Sequence, residues 1–202
     1  MTNPIAETVD AWLAADGIDR ASYVAVMRQW VQQAYTDGQD TNPIHALERG
    51  ECTLAEFELA LASKLVLESG GPVPGPGLLT RMFAGSVLDE GMLELFRKLH
   101  ADGVPTGMLS NSWGGEYPRE IFPDLFDAVV ISAEVGMRKP EPRIFLHAAE
   151  LLGLRPLECI FIDDIQANVT AAEEAGFTGV LHREPAATAL RIAELLGLDS
   201  TA

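Results

Sequence analysis

The fold of this chain is decided by residues 157–169, which read LECIFIDDIQANV. Residues 159–162 are continuously apolar, as in a short strand that is buried on both faces. Asp163 and Asp164 follow this run directly, and a helical segment begins near Gln166. The stretch therefore predicts a buried strand whose carboxyl end carries acidic side chains and leads into a helix.

The same alternation of strand and helix extends over the C-terminal half of the chain. Apolar runs at 104–109, 127–132, 157–162 and 178–182 predict four strands, and residues 88–100, 141–152, 166–175 and 185–196 predict helices. This order predicts an α/β fold, a Rossmann-like three-layer structure in which helices cover both faces of a parallel sheet. Because ligands bind beyond the carboxyl ends of such strands, a site is expected in the loops that follow them.

The N-terminal part of the chain has a different, helical pattern. Trp12 and Leu13 lie on one apolar helical face, and Thr53 and Glu56 have the spacing of a capping box. Residues 70–77 place three prolines among glycines, which predicts a linker. We therefore predict a helical domain at residues 1–85 and an α/β domain at residues 86–202.

Composition narrows the classes of partner. The 202 residues are 48% apolar, and 14 basic against 30 acidic residues give a formal charge of −16. A surface this acidic repels nucleic acid and anionic membrane lipid, so neither is an expected partner. No apolar run reaches the roughly 18 residues that span a bilayer, and the N-terminus lacks the basic segment of a signal peptide. Cys52 and Cys159 lack metal-site spacing, so a reducing cytoplasmic location is expected.

The loop after the first strand, residues 110–115, combines hydrogen-bond donors with glycines. The Ser110 hydroxyl and the Asn111 amide are suited to bind the oxygens of an anion, and the glycines allow the backbone to approach it closely. Trp113 either lines the mouth of a pocket or packs in the interior. For the loop as a whole, a simple polar turn is the alternative.

Lys139 and an acidic pair follow two further strands. Lys139 precedes Pro140, which suits the first position of a helix, so the ammonium is expected to point into the site; a solvated lysine is the alternative. Adjacent carboxylates at a buried strand end are costly without a cation, and Mg²⁺ binds one or two carboxylates together with waters. Asp163 and Asp164 are therefore predicted to hold Mg²⁺, although Asp164 also suits a helix N-cap. Asn168 is predicted to orient a carboxylate. A hydroxyl, a lysine and an acidic pair at three strand ends predict a phosphoryl-transfer site that lacks a nucleophile.

Three segments resemble three of the four motifs of the haloacid dehalogenase (HAD) superfamily: residues 108–111 (MLSN), 135–142 (VGMRKPEP) and 161–169 (FIDDIQANV). The similarity is greatest to the phosphatase-like N-terminal domain of soluble epoxide hydrolases and covers residues 4–198. It implies that Ser110 and Asn111 bind phosphate and that Lys139 stabilises the phosphoryl group and the nucleophile. It also implies that the acidic pair holds Mg²⁺ with Asn168 in support, and that the helices before residue 85 form a cap that selects the substrate.

The resemblance fails at the family's first motif. That motif is Asp-x-Asp at the end of a central strand, where the first aspartate attacks phosphorus; no Asp-x-Asp occurs in this sequence. Residues 1–5 look like the segment that normally follows it. We expect the first strand to be missing. Three explanations are open. The one we favour is a misassigned start of the sequence. The others are an inactive remnant and a strand supplied by another copy in a homo-oligomer.

These observations favour a Mg²⁺-dependent HAD-type phosphatase that acts on a small phosphorylated substrate, a phosphomonoester. One alternative is a catalytically inactive remnant that binds a ligand or a partner. A second is a 2-haloacid dehalogenase, which the resemblance implies to be metal-free. The Asp163–Asp164 pair argues against it, since a metal-free site has little use for two adjacent acids.

Overall fold

The computed structural model describes residues 5–36, 42–114 and 117–198. Within these ranges the helices are α1 (Ile5–Asp16), α2 (Arg20–Thr36), α3 (Pro43–Glu48), α4 (Leu54–Ala62), α5 (Leu78–Met82), α6 (Glu90–Ala101), α7 (Ser132–Val135), α8 (Pro142–Leu152), α9 (Gln166–Glu174) and α10 (Pro185–Leu196). The strands are β1 (Gly107–Ser110), β2 (Ala128–Ile131), β3 (Ile160–Asp163) and β4 (Thr178–Leu181). Residues 1–4 and Gly115, which belong to predicted motifs, lie outside the described residues.

Helices α1 to α5 enclose a hydrophobic core of their own. Its most deeply buried side chains include Trp30, Phe57, Leu61, Leu78 and Met82. At the start of α2, the Asp19 carboxylate accepts a hydrogen bond from the Ser22 N–H at 2.6 Å. Thr53 and Glu56 form the predicted capping box at the start of α4. The helical character predicted for this part of the chain is confirmed over these elements.

The proline-rich stretch at residues 70–77 packs against these helices. Val73 is buried in the same core. The Arg81 guanidinium donates hydrogen bonds to the carbonyl oxygens of Pro74 and Pro76, each at 2.9 Å. The predicted linker is therefore a fixed loop, because side chains satisfy backbone carbonyls that no regular structure uses.

The carboxylate of Glu58 caps the amino end of α5. Its Oε2 accepts from the Gly77 N–H and its Oε1 from the Leu79 N–H, each at 2.9 Å. The first N–H groups of a helix have no partner inside the helix, so a buried acceptor there stabilises the helix start. Through this contact α4 holds α5 in place.

The four strands form two separate parallel pairs. β1 pairs with β2, and β3 pairs with β4, over four residues each. Each strand lies within three residues of its predicted limits. Among the described residues, no strand pairs with the other edge of β1 or of β3. Parallel pairing is thus confirmed, and the sheet is divided between the two pairs.

Helix α8 shares one hydrophobic cluster with both strand pairs. Ile144 and Phe145 of α8 pack against both Val130 of β2 and Phe161 of β3. The rings of Phe145 and Phe161 meet edge to face at 5.0 Å. A separate cluster on α6, β4 and α10 comprises Leu99, Val180 and Ile192. The α/β part is therefore layered as predicted, with helices packed against the strands in two clusters.

The start of α8 differs from the prediction. Pro142, rather than Pro140, occupies its first turn, and Glu141 is the N-cap residue. Lys139 consequently lies on a turn ahead of the helix. The expectation that a helix-starting proline follows Lys139 directly is wrong, because the second proline of the Pro140-Glu141-Pro142 sequence takes that role.

Two observations bear on the environment of the chain. In the described ranges, no helix combines the length and the apolar character needed to cross a bilayer. Both cysteines are free thiols, with Cys159 buried and Cys52 half-buried, and burial raises the pKa of each.

The Glu58 cap leads to a prediction about stability. Glu58→Gln keeps the shape of the side chain but replaces one acceptor oxygen with an NH₂ group, so one N–H of the α5 start faces a donor. We expect the free energy of unfolding to fall by about 2 kcal/mol, as for other buried groups that lose a partner. Urea unfolding followed by circular dichroism measures it. Exposed Glu68→Gln is the control, and an equal effect of the two substitutions would contradict the capping role.

Candidate active site

The carboxyl ends of β1 and β3 meet at the side chain of Lys139. Its Nζ donates to the carbonyl oxygen of Leu109 at 3.1 Å and to Asp163 Oδ2 at 2.7 Å. Only 12% of the Lys139 side chain and 6% of the Asp163 side chain are exposed. The ammonium therefore links the two strand pairs at the edge where the sequence predicts a site, and the alternative of a solvated lysine is wrong.

Asp163 uses both of its carboxylate oxygens within the protein. Besides the contact of Oδ2 with Lys139, Oδ1 accepts from the Ile165 N–H at 2.8 Å and from Asn168 Nδ2 at 3.1 Å. The contact with the ammonium is a buried ion pair between Lys139 and Asp163. Asp163 thus serves as the counter-ion of Lys139, and Asn168 orients it.

Asp164 differs sharply from its neighbour, because it is exposed at the surface. It is not the N-cap of α9 as its alternative role suggested, since Ile165 occupies that position. The acidic pair therefore separates into one buried, fully paired carboxylate and one exposed carboxylate. Over the part of the chain that is described, no three Asp, Glu, His or Cys side chains lie close enough together to share one metal ion.

Asn111 holds the backbone of Lys139. Its Nδ2 donates to the Lys139 carbonyl oxygen at 3.0 Å, and its Oδ1 accepts from the Lys139 N–H at 2.9 Å. This paired contact positions the lysine; binding of a phosphate oxygen by Asn111 stays a prediction. The Ser110 hydroxyl lies 2.9 Å from the Tyr117 hydroxyl, a contact that no motif indicated.

Trp113 packs against the helical core. Its ring meets Phe57 at 5.8 Å and Phe83 at 6.2 Å, both edge to face, and its Nε1 donates to Glu48 Oε1 at 3.0 Å. The structure therefore shows the packing alternative. A role for Trp113 in substrate binding stays a prediction.

Two ion pairs join the helical part to the loop that carries Lys139. Glu48 pairs with Arg138, and Arg49 Nη2 lies 2.6 Å from Glu141 Oε1. Next to these ion pairs, the backbone of Gly50 lies close to the backbone of Ala133. A Cβ atom at position 50 would lie 2.6 Å from the Ala133 carbonyl oxygen. Sequence reasoning missed these contacts, since about 90 residues separate the partners and charges alone do not indicate pairing over such distances.

Glu141 yields a prediction about acid stability. Burial acts to raise the pKa of its carboxyl, but hydrogen bonds and charge from Arg143 and Arg49 outweigh burial and lower it. A carboxyl whose pKa is lowered by folding stabilises the folded protein at pH values above its unfolded-state pKa of about 4.3. This contribution is lost as the pH falls through the folded-state pKa. The natural protein should therefore lose more stability on acidification than the Glu141→Gln variant does. Urea midpoints at about pH 6 and about pH 3.5 test this, and equal losses would refute it.

Comparisons with known proteins place the chain in a family. The family model of haloacid dehalogenase-like hydrolases matches residues 2–176. A sesquiterpene phosphatase of Aspergillus oryzae is 34% identical over 113 residues, which make up 54% of this chain and 58% of that protein. Bifunctional epoxide hydrolase 2 of Rattus norvegicus is 23% identical over 189 residues, 86% of this chain and 34% of that protein. The chain thus spans less than two thirds of the length of these curated relatives.

Solved structures show the same fold. An HAD-family enzyme of Bacteroides thetaiotaomicron, in complex with magnesium and inorganic phosphate, matches with a TM-score of 0.57 and 25% identity over 83% of this chain and 88% of that chain. An HAD-like hydrolase of Porphyromonas gingivalis matches in fold with a TM-score of 0.62 and 22% identity over 91% of this chain and 93% of that chain. With the family model matching most of its length and the fold shared with these hydrolases, the chain belongs to the haloacid dehalogenase-like hydrolase family.

Proposed function

We propose that this protein is a Mg²⁺-dependent phosphatase of small phosphomonoesters whose nucleophilic carboxylate comes from a strand seated between β1 and β3. The observation that carries the proposal is the Lys139 ammonium, held between the Leu109 carbonyl oxygen and Asp163 at the strand ends. A preorganised cation at this position stabilises the charge that develops on a transferring phosphoryl group.

The residues around Lys139 have distinct roles in this proposal. Ser110, at the carboxyl end of β1, donates its hydroxyl hydrogen to a phosphate oxygen. Asn111 and Asp163 hold Lys139 from the backbone side and from the side-chain side. The exposed carboxylate of Asp164 binds Mg²⁺, which offsets phosphate charge when bound.

Magnesium suits this set of donors. Mg²⁺ usually takes one or two protein carboxylates and completes its shell with waters and substrate phosphate. Asp164 supplies one exposed carboxylate, whereas both oxygens of Asp163 already have partners. We therefore assign Mg²⁺ binding to Asp164, and coordination by Asp163 as well stays a prediction.

The position proposed for the nucleophile comes from the divided sheet. Each of β1 and β3 has one edge that no described strand pairs, while α8 packs against both strand pairs. An additional parallel strand there would satisfy backbone groups on both edges. Its carboxyl end would lie beside Lys139, so an aspartate there would face a bound phosphoryl group.

The relatives support the phosphatase assignment within the family. One is a sesquiterpene phosphatase, and a solved relative binds magnesium and inorganic phosphate. The inactive, ligand-binding remnant remains the second candidate, because the sequence contains no Asp-x-Asp. A cytoplasmic location and a homo-oligomer stay predictions.

Strand complementation tests the proposed nucleophile. A synthetic peptide with a strand of about six apolar residues that ends in Asp-x-Asp should bind the chain and, with Mg²⁺, start hydrolysis of an aryl phosphate. The same peptide with asparagine in place of the first aspartate should bind without turnover. Release of the aryl alcohol is the measurement. Binding of the intact peptide without any turnover would favour the inactive remnant.

Isothermal titration with inorganic phosphate tests the metal ligand. Mg²⁺ should strengthen phosphate binding, and Asp164→Ala should weaken the Mg²⁺-dependent binding by at least about tenfold, the range for perturbed metal sites. Asp124→Ala, another exposed aspartate, is the matched control and should have no effect. Unchanged binding in Asp164→Ala would exclude Asp164 as the ligand.

A further inference from the structure

Two neighbouring residues at the end of α3 contact the Lys139 loop on both sides of the lysine. Glu48 pairs with Arg138, the residue before Lys139. Arg49 pairs with Glu141, two residues after it, through contacts of 2.6 and 2.7 Å. Both pairs link the helical part of the chain to the α/β part. The loop that carries Lys139 is therefore held by contacts with residues of the helical part.

All four of these side chains are largely removed from water. The exposed fractions are 7% for Glu48 and 14% for Arg138, and 15% for Arg49 and 20% for Glu141. Losing one partner of a buried pair leaves an uncompensated charge that the loop must move to solvate. The two pairs therefore restrain the loop far more than exposed ion pairs would.

The Arg49–Glu141 contact extends across the loop. Glu141 Oε2 also accepts from Arg143 Nε at 2.8 Å, and Arg143 Nη2 donates to the Gly136 carbonyl oxygen at 2.9 Å. A chain of contacts thus runs from α3 through the start of α8 to the first residue of the loop. Lys139 lies inside this closed set of contacts.

Glu48 has a second partner that strengthens the restraint. Its Oε1 accepts from Trp113 Nε1 at 3.0 Å, while its Oε2 faces Arg138. Trp113 lies two residues after Asn111, whose side chain is hydrogen-bonded to the backbone of Lys139. One carboxylate from α3 therefore contacts the loop after β1 and the loop before α8.

From these contacts we propose that Glu48 and Arg49 are positioning residues for Lys139. Docking of α3 sets the loop so that the ammonium reaches Leu109 and Asp163. This inference builds on the proposed phosphatase function, in which Lys139 binds the phosphoryl group. Without the two ion pairs, the loop relaxes, the ammonium leaves its place and phosphate binds more weakly.

Lysine NMR of the full chain tests the placement without requiring activity. The sequence holds only three lysines, Lys64, Lys98 and Lys139, so ¹³Cε-lysine labelling gives three side-chain signals. Loss of one signal in Lys139→Arg assigns Lys139. Glu48→Gln and Arg49→Gln should each shift that signal and leave those of Lys64 and Lys98 in place.

A structural control separates positioning from general destabilisation. Glu58→Gln perturbs the helical part at the start of α5, away from the lysine loop, and should leave the Lys139 signal unchanged. The double variant Glu48→Gln/Arg138→Gln should shift the signal no further than Glu48→Gln alone, because coupled partners are not additive. A Lys139 signal unmoved by Glu48→Gln and Arg49→Gln, or moved as much by Glu58→Gln, would overturn the inference.

Phosphate binding distinguishes this inference from the proposed function. Titration of the natural chain with inorganic phosphate and Mg²⁺ should move the Lys139 signal, and Glu48→Gln should weaken binding by about tenfold, within the usual range of coupling between sites. If phosphate leaves the natural chain's signal in place while Glu48→Gln shifts it, the positioning role stands and the phosphatase function fails. If phosphate binds equally well to both chains, the positioning role fails and the function stands.

Discussion

The ion pair between Lys139 and Asp163 is the interaction on which the site depends. Placing two charges in the interior costs several kcal/mol per ion unless partners surround them. Here the Leu109 carbonyl oxygen, the Ile165 N–H and the Asn168 amide complete the coordination of both groups. Because Leu109 lies on β1, Asp163 on β3 and Asn168 on α9, the pair forms only when both strand pairs and the helix after β3 are in place.

The divided sheet gives this ion pair a second role. Among the described residues β1 and β3 share no hydrogen-bonded ladder, and the pairs are joined by packing under α8 and by Lys139 at the strand ends. Packing against α8 holds the two strand pairs together. The ion pair joins their carboxyl ends, where the chemistry is proposed.

Much of the fold followed from local pattern. Apolar runs bounded by helical segments predicted four strands to within three residues, and Thr53 and Glu56 predicted a capping box that is present. Pro140 misled the prediction of the start of α8, because Pro142 satisfies the same local preference. The different environments of Asp163 and Asp164 were also missed, since they depend on which carboxylate faces the distant Lys139.

The sequence by itself determined the class of fold, the strand ends where polar residues collect, and the identity of Ser110, Lys139 and the acidic pair as candidates. These follow from periodicity and from the chemistry of each side chain over short stretches. Only the tertiary structure decided that Lys139 pairs with Asp163, that Asp164 stays exposed, and that residues at the end of α3 form ion pairs with the loop that carries Lys139. Those contacts join residues far apart in the chain, where burial and geometry, rather than local preference, select the partner.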